Sequence, residues 1–205
     1  SGLGRPVCIS LYGADAGLLS EAAELLAGAE GVHALLLCLP RDAPPEEYGR
    51  AVRRVLGATM LPCLVRCPFD APREAACEAA AAGADAVVVS APPVGRAVRQ
   101  DGSWAVGPVH SPALAPLTAE RVHEVRSVVS LPIVARGGVA RLAGARSMLA
   151  AGADALLLDS ILFVEPDALV TLYAALEDDL ARLAAAGWDE YVTALRGTAD
   201  WASGD

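Results

Sequence analysis

The fold of this chain is decided by residues 131–163, which read LPIVARGGVARLAGARSMLAAGADALLLDSILF. A short apolar run at 132–135 is followed by Arg-Gly-Gly at 136–138 and then by an alanine-rich stretch of helical period. A second apolar run, 155–158, ends at an Asp-Ser pair. Turns that lead from a parallel strand into a helix leave backbone N–H groups bare, and a phosphate can bind them. The stretch therefore predicts the last two units of a phosphate-binding β/α barrel.

Periodicity along the rest of the chain predicts six β/α units. The short apolar runs are 7–11, 34–39, 61–66, 86–90, 132–135 and 155–158. The segments of helical period are 18–26, 46–56, 73–82, 118–129 and 142–151, with a longer one from about Pro166 to residue 186. Short runs without polar alternation are typical of fully buried strands in parallel sheets. The predicted fold class is α/β: one domain over 1–205, a parallel (β/α) barrel of the TIM type that lacks the first two of eight strands.

Two copies of Ala-Gly-Ala-Asp, at 82–85 and 151–154, predict where helices end, with glycine at the C-cap. Residues 91–117 interrupt the pattern with five prolines and three glycines, and we expect no strands there. Loops of such length usually cover an active site or an interface.

Composition restricts the possible partners. Hydrophobic residues make up 54% of the chain and the mean hydropathy is +0.41, which indicates apolar surface covered by a partner. The net charge is −9 with scattered arginines, so nucleic-acid binding is not expected. No apolar run approaches the roughly 18 residues that span a bilayer, so no membrane partner is expected. Five cysteines without a CxxC pair, and no signal peptide, predict a cytoplasmic protein without a metal site.

The chain contains no lysine and no asparagine, and Gln100 is its single glutamine. All sixteen cationic side chains are therefore arginines. A site that depends on a lysine ammonium or a buried asparagine amide cannot exist here in its usual form.

The order of several short segments resembles the later three-quarters of the dihydroorotate dehydrogenase family. They are Ser-Leu-Tyr-Gly at 10–13, Cys-Leu-Pro-Arg at 38–41, Val-Arg-Cys-Pro at 65–68, the loop 107–116, the segments 131–138 and 152–163, and the tail 186–197. The resemblance implies an FMN-binding β/α barrel that oxidises dihydroorotate to orotate in pyrimidine biosynthesis. It also implies a small-molecule substrate, and a homo-oligomer or a companion subunit that supplies the missing strands.

The same resemblance assigns roles to residues at predicted strand ends. The family's general base falls at Leu39, which cannot accept a proton, and the neighbouring Cys38 is the candidate catalytic substitute. The alternative for Cys38 is a core thiol, which is the commoner role of a cysteine that ends a buried strand. A flavin-contacting lysine is replaced by Arg66, which keeps the charge. A sixth-strand asparagine corresponds to Ser90 or Ala91.

The flavin phosphate would be held by Gly137, Gly138 and Ser160, which offer backbone N–H groups and a hydroxyl. The alternative for the two glycines is a strand-to-helix turn that needs glycine for its conformation.

Asp159 stands where the family has glycine, so a carboxylate lies near the expected phosphate. Three arrangements stay open: it points away, it pairs with Arg66, or it pairs with Arg136.

Three functions follow from these patterns. The first is an FMN oxidoreductase acting on a CH–CH substrate. The second is a catalytically inactive relative that serves as a structural or binding subunit and completes a barrel or an oligomer. The third is a phosphate-binding barrel enzyme without flavin. Because one fold serves many functions, the fold does not choose between them.

Overall fold

The structure is a computed structural model, and it describes residues 5–184. The described chain forms two compact units, the first from 5–91 with 124–133 and the second from 92–123 with 134–184. The predicted tail at 186–197 and the end of the predicted last helix lie outside the described residues.

The first unit is built from strands and helices that alternate along the chain. They are β1 (Cys8–Tyr12), α1 (Ala16–Leu26), β2 (Ala34–Cys38), α2 (Pro45–Ala58), β3 (Cys63–Arg66), α3 (Pro72–Ala81) and β4 (Ala86–Val89). Each strand pairs in parallel with the next one along the chain. The predicted strands and helices of this unit are confirmed, with ends displaced by at most two residues.

The core of the first unit lies between the sheet and its helices. Strands β2 and β4 are buried almost throughout, as expected for a parallel sheet covered by helices. Helix α2 turns Ala51, Val52 and Val55 toward this core, with Val55 one helical turn beyond the other two. These apolar contacts fix the carboxyl ends of the strands, where the candidate residues lie.

The prediction that all strands are fully buried was wrong for β1. Cys8, Ser10 and Tyr12 alternate along β1 and are exposed. Within the described residues β1 pairs with β2 alone, so one of its edges has no strand beside it. Side chains on β3 alternate between buried and half-buried, because only one face of that strand is fully covered.

The second unit begins with a hairpin that the sequence analysis excluded. Strands β5 (Val94–Val98) and β6 (Trp104–Pro108) pair antiparallel, with Val98 opposite Trp104. The prediction of no strands in 91–117 was therefore wrong. Pro92, Pro93 and Pro108 lie at the ends of the hairpin, where they break no ladder, and Pro112 and Pro116 come after it. Gly102 supplies the positive φ of the hairpin turn.

After the hairpin the described chain returns to β/α order. A 3₁₀ turn at Pro112–Leu114 leads into α4 (Ala115–Arg126), followed by β7 (Ile133–Arg136), α5 (Leu142–Ala150), β8 (Ala155–Leu157), α6 (Ile161–Val164) and α7 (Ala168–Ala184). Strands β7 and β8 are parallel. The prediction of a fully buried strand was also wrong for β8, because none of its three residues is buried. The last helix was predicted to begin near Pro166, but that proline lies in the turn between α6 and α7.

Both predicted glycine C-caps are confirmed. Gly83 and Gly152 have positive φ angles of 95° and 111°, and each follows the end of a helix. The six parallel β-strands thus follow the predicted order of β/α units. Among the described helices, none is both long and apolar enough to cross a membrane.

Candidate functional site

The end of β2 carries the residues that were predicted to act on a proton. Cys38 is the last residue of β2 and is 2% exposed, and Leu39 follows it at 6%. The Cys38 Sγ lies 3.7 Å from the Leu36 carbonyl oxygen, to which it donates a weak hydrogen bond. A general base has to reach the proton that it abstracts. The buried thiol points instead to a backbone carbonyl of its own strand.

Arg66 ends β3 beside an aromatic side chain that the sequence analysis did not single out. Its guanidinium carbon lies 5.1 Å from the centre of the Tyr12 ring, within cation–π range, and its Nη1 is 3.4 Å from the Tyr12 hydroxyl. Tyr12 is 71% exposed. Because Tyr12 ends β1 as Arg66 ends β3, its position at a predicted strand end was the signal that could have found it.

Ser90 directly follows β4 and is buried. The backbone around it is tied to the end of β3, since Ala91 N–H donates to the Cys67 carbonyl and Cys67 N–H donates to the Val88 carbonyl. Burial raises the pKa of the Cys67 thiol to about 12, with a smaller contribution from Cys77. The peptide bond that precedes Ser90 is cis.

An exposed ion pair joins the loops that follow β2 and β3. Arg41 donates from Nε and from Nη2 to the same oxygen of Asp70, the Nε–Oδ2 distance being 2.7 Å. About half of each side chain is exposed, so solvent screens the pair. Arg41, the last residue of the Cys-Leu-Pro-Arg segment, is thus bound to a neighbouring carboxylate.

In the second unit Asp159 binds the cation at the end of β7. Arg136 Nη2 lies 2.6 Å from Asp159 Oδ2, with side chains 16% and 26% exposed. The other oxygen, Asp159 Oδ1, accepts the Ser160 N–H at 2.5 Å. Of the three arrangements left open, the pair with Arg136 is the one that forms. The carboxylate therefore binds a guanidinium and a backbone N–H, two kinds of donor that can also bind a phosphate.

The two glycines after β7 are required by local geometry. Gly137 and Gly138 have φ angles of +112° and +77°, which residues with a Cβ rarely adopt. A Cβ on Gly138 would lie 2.7 Å from Ala115 Cα, at the start of α4. The turn thus needs glycine for its conformation and packing whether or not a ligand binds.

The two donors bound to Asp159 do not fit a flavin phosphate as they stand. Arg136 and the Ser160 N–H already bind a carboxylate. A dianion placed against the same donors would lie close to the negative charge of Asp159, and such repulsion costs on the order of 1 kcal/mol even in water.

Comparisons with known proteins agree with the architecture. No protein-family model matches this chain. The dihydroorotate dehydrogenase B (NAD(+)) catalytic subunits of Maridesulfovibrio salexigens and Geotalea daltonii are each 27% identical to it, over 209 and 210 residues. Each match covers 93% of this chain and 68% of the relative. The protein of the same name from Latilactobacillus sakei is 41% identical over 70 residues, which are 34% of this chain and 23% of that protein.

A solved structure shows the same fold. Dihydroorotate dehydrogenase from Eimeria tenella, in complex with ferulenol, matches with a TM-score of 0.68 at 13% identity. The match covers 82% of this chain and 55% of that one, so this chain spans about half the length of its structural neighbour. The described strands and helices thus form an incomplete α/β barrel. This chain is a relative of the dihydroorotate dehydrogenase family.

Proposed function

We propose that this chain is a catalytically inactive relative of the dihydroorotate dehydrogenases that serves as a structural or binding subunit. The observation that carries the proposal is the end of β2. Leu39 occupies the position that the family resemblance gives to the general base, and Cys38 beside it is buried with its Sγ directed at the Leu36 carbonyl. Loss of a positioned general base typically lowers a rate by about 10²–10⁴-fold.

The free edge of β1 supports a binding role. Its residues, Cys-Ile-Ser-Leu-Tyr, carry no charge and include no proline. Exposed edge strands normally carry charged residues or proline, because these residues prevent pairing with another chain. An uncharged strand can pair with its own copy about a twofold axis without repulsion, despite the net charge of −9. We propose that a second copy of this chain covers this edge.

The hairpin of the second unit adds an exposed apolar surface. The side chains of Val98, Trp104 and Val106 point out on it, with Trp104 60% exposed. Aromatic and aliphatic side chains grouped in this way are typical of interaction surfaces.

An assay of dihydroorotate oxidation tests the loss of catalysis. The purified chain is supplied with FMN and either NAD or a dye as electron acceptor, and a dihydroorotate dehydrogenase B catalytic subunit is measured in parallel. We expect a rate at least about 10³-fold below that of the relative. A rate within about tenfold of the relative would show that the chain is an active enzyme.

Light scattering tests the binding role separately. We expect a dimer, and we expect Ser10→Lys on the β1 edge to shift it toward monomer. Ser130→Lys, at another exposed serine, adds the same charge away from the edge and should leave the dimer intact. A monomeric wild-type chain would contradict this part of the proposal, whatever the result of the oxidation assay.

The second candidate function is an FMN oxidoreductase acting on a CH–CH substrate. The observation in its favour is Arg66, a cation at a strand end beside the exposed Tyr12 ring, with Ser90 directly after the next strand. A planar cofactor could stack on that tyrosine. A flavin absorption band in the purified protein would favour this candidate.

The cysteines bear on the compartment. All five are thiols, and three of them are buried. Buried thiols without disulfides are typical of a reducing environment, so we propose a cytoplasmic location.

A further inference from the structure

We propose that Asp159 is a built-in counter-anion that excludes phosphate-bearing ligands from the turns after β7 and β8. The inference goes beyond the proposed function and is independent of it, because it concerns donors of the second unit and not the general base at β2. It assigns a specific role to Asp159, which stands where the family has glycine.

Both oxygens of the Asp159 carboxylate are bound to groups that recognise anions. Oδ2 lies 2.6 Å from Arg136 Nη2, and Oδ1 accepts the Ser160 N–H at 2.5 Å. A guanidinium and a backbone N–H are the two kinds of donor that proteins most often offer to a phosphate. The group that they bind in this structure is the carboxylate of the chain itself.

The position of this carboxylate follows from the strand register. Arg136 ends β7 opposite Leu157 of β8. Asp159 lies two residues beyond Leu157, so it stands at the same end of the paired strands as Arg136. The side chains of Arg136 and Asp159 are 16% and 26% exposed, so water screens their attraction less than at a fully exposed pair.

A phosphate from solution competes with this carboxylate at a disadvantage. The carboxylate is covalently attached next to one of its donors, so its effective concentration at the site is in the millimolar range or above. A phosphate that displaced it would also remain next to the released negative charge. With the side chain of Asp159 shortened, Arg136 and the Ser160 N–H lose their internal partner and become available.

Isothermal titration with inorganic phosphate at constant ionic strength tests the inference. We expect the wild-type chain to bind phosphate more weakly than about 1 mM. In Asp159→Ala the same titration should show binding at least about tenfold tighter. Asp70→Ala is the matched control. It removes one carboxylate from another arginine pair, but that pair involves no backbone N–H, and we expect no comparable gain.

A second variant keeps the test decisive if Asp159→Ala does not fold. Asp159→Asn keeps the size of the side chain and removes its charge, so circular dichroism should match the wild type and phosphate binding should again improve. For Asp159→Ala, FMN should bind more tightly than riboflavin, which lacks the phosphate.

Two results would overturn the inference. One is wild-type binding of phosphate that Asp159→Ala leaves unchanged, and the other is a folded Asp159 variant with no gain. Neither result depends on whether the chain oxidises dihydroorotate.

Discussion

Two carboxylates, one in each unit, have the same kinds of partner. In the first unit Glu47 Oε1 accepts the Ala16 N–H at 2.8 Å, and Oε2 binds Arg50. In the second unit Asp159 binds the Ser160 N–H and Arg136. The difference lies in what each carboxylate joins. Glu47 is buried on α2 and binds the first residue of α1, whereas Asp159 joins the ends of two strands.

The first unit leaves little for a ligand at the start of α1. Asp15 accepts the N–H groups of Gly17 and Leu18, and Glu47 accepts that of Ala16. The helix is therefore capped entirely by the carboxylates of the chain, as is common where N–H groups lack a helical partner. A backbone N–H at a strand-to-helix turn therefore indicates a ligand only where no carboxylate of the same chain accepts its hydrogen bond.

The largest effect on folding is expected at the glycine turn of the second unit. Gly138→Ala should lower the free energy of unfolding by about 2–5 kcal/mol, because the new Cβ would lie 2.7 Å from Ala115 Cα in a backbone of positive φ. Chemical denaturation would measure this. The matched control is Gly102→Ala, where φ is +82° and nothing lies within 4 Å of the new Cβ.

The control separates strain from packing. Gly102→Ala should cost only the conformational strain of about 1–2 kcal/mol. If both variants lose the same stability, the Gly138 turn is not closely packed, and glycine is then required there by conformation alone.

A smaller effect is expected for the structural carboxylate of the comparison. Glu47→Ala should cost about 1.5–3 kcal/mol, mainly because it leaves the buried Ala16 N–H without its charged acceptor. The loss of the Arg50 pair adds little, since the Arg50 side chain is 60% exposed. The neighbouring exposed Glu46→Ala is the control and should change stability by less than about 0.5 kcal/mol. Unlike Asp159→Ala, Glu47→Ala should produce no gain in phosphate binding. Such a gain would remove the distinction between the two carboxylates.

The sequence predicted the β/α order well because buried parallel strands are apolar throughout and their glycine C-caps repeat. It missed the hairpin, although Val-Gly-Arg-Ala-Val and Trp-Ala-Val-Gly-Pro flank an Asp-Gly turn at 101–102. Five prolines outweighed that local signal in the sequence analysis. Prolines break a ladder only where they lie inside it, and their placement depends on a register that is read from the structure.

The candidate site was less predictable than the fold. The pair between Arg136 and Asp159 was one of three possibilities, since a choice among them needs the register of β7 against β8. The contact of Tyr12 with Arg66 joins residues 54 positions apart and depends on the order of strands in the sheet. Long-range proximity of this kind leaves no trace in local periodicity.

Chemical labelling of the cysteine thiols in the first unit is expected to change stability least. Cys77 and Cys8 are exposed, whereas Cys38, Cys63 and Cys67 are buried. With an aromatic disulfide reagent at neutral pH, we expect Cys77 to react fastest. Cys8 should follow more slowly, because burial and Cys38 raise its pKa. The three buried thiols should react only after unfolding.

Alkaline pH sharpens this test. Burial raises the pKa of Cys63 to about 12 from its ordinary value of 9.0, so this thiol stays protonated in the folded chain while the unfolded chain ionises. The stability that the protonated Cys63 thiol contributes is fully present below about pH 9 and is lost as the pH rises toward 12. Denaturation measured at pH 8 and at pH 10 should therefore give a lower free energy of unfolding at pH 10. Rapid labelling of Cys38 in the folded chain at neutral pH would instead show an accessible thiol at the end of β2. The first unit would then hold a candidate base, and the case for lost catalysis would fail there.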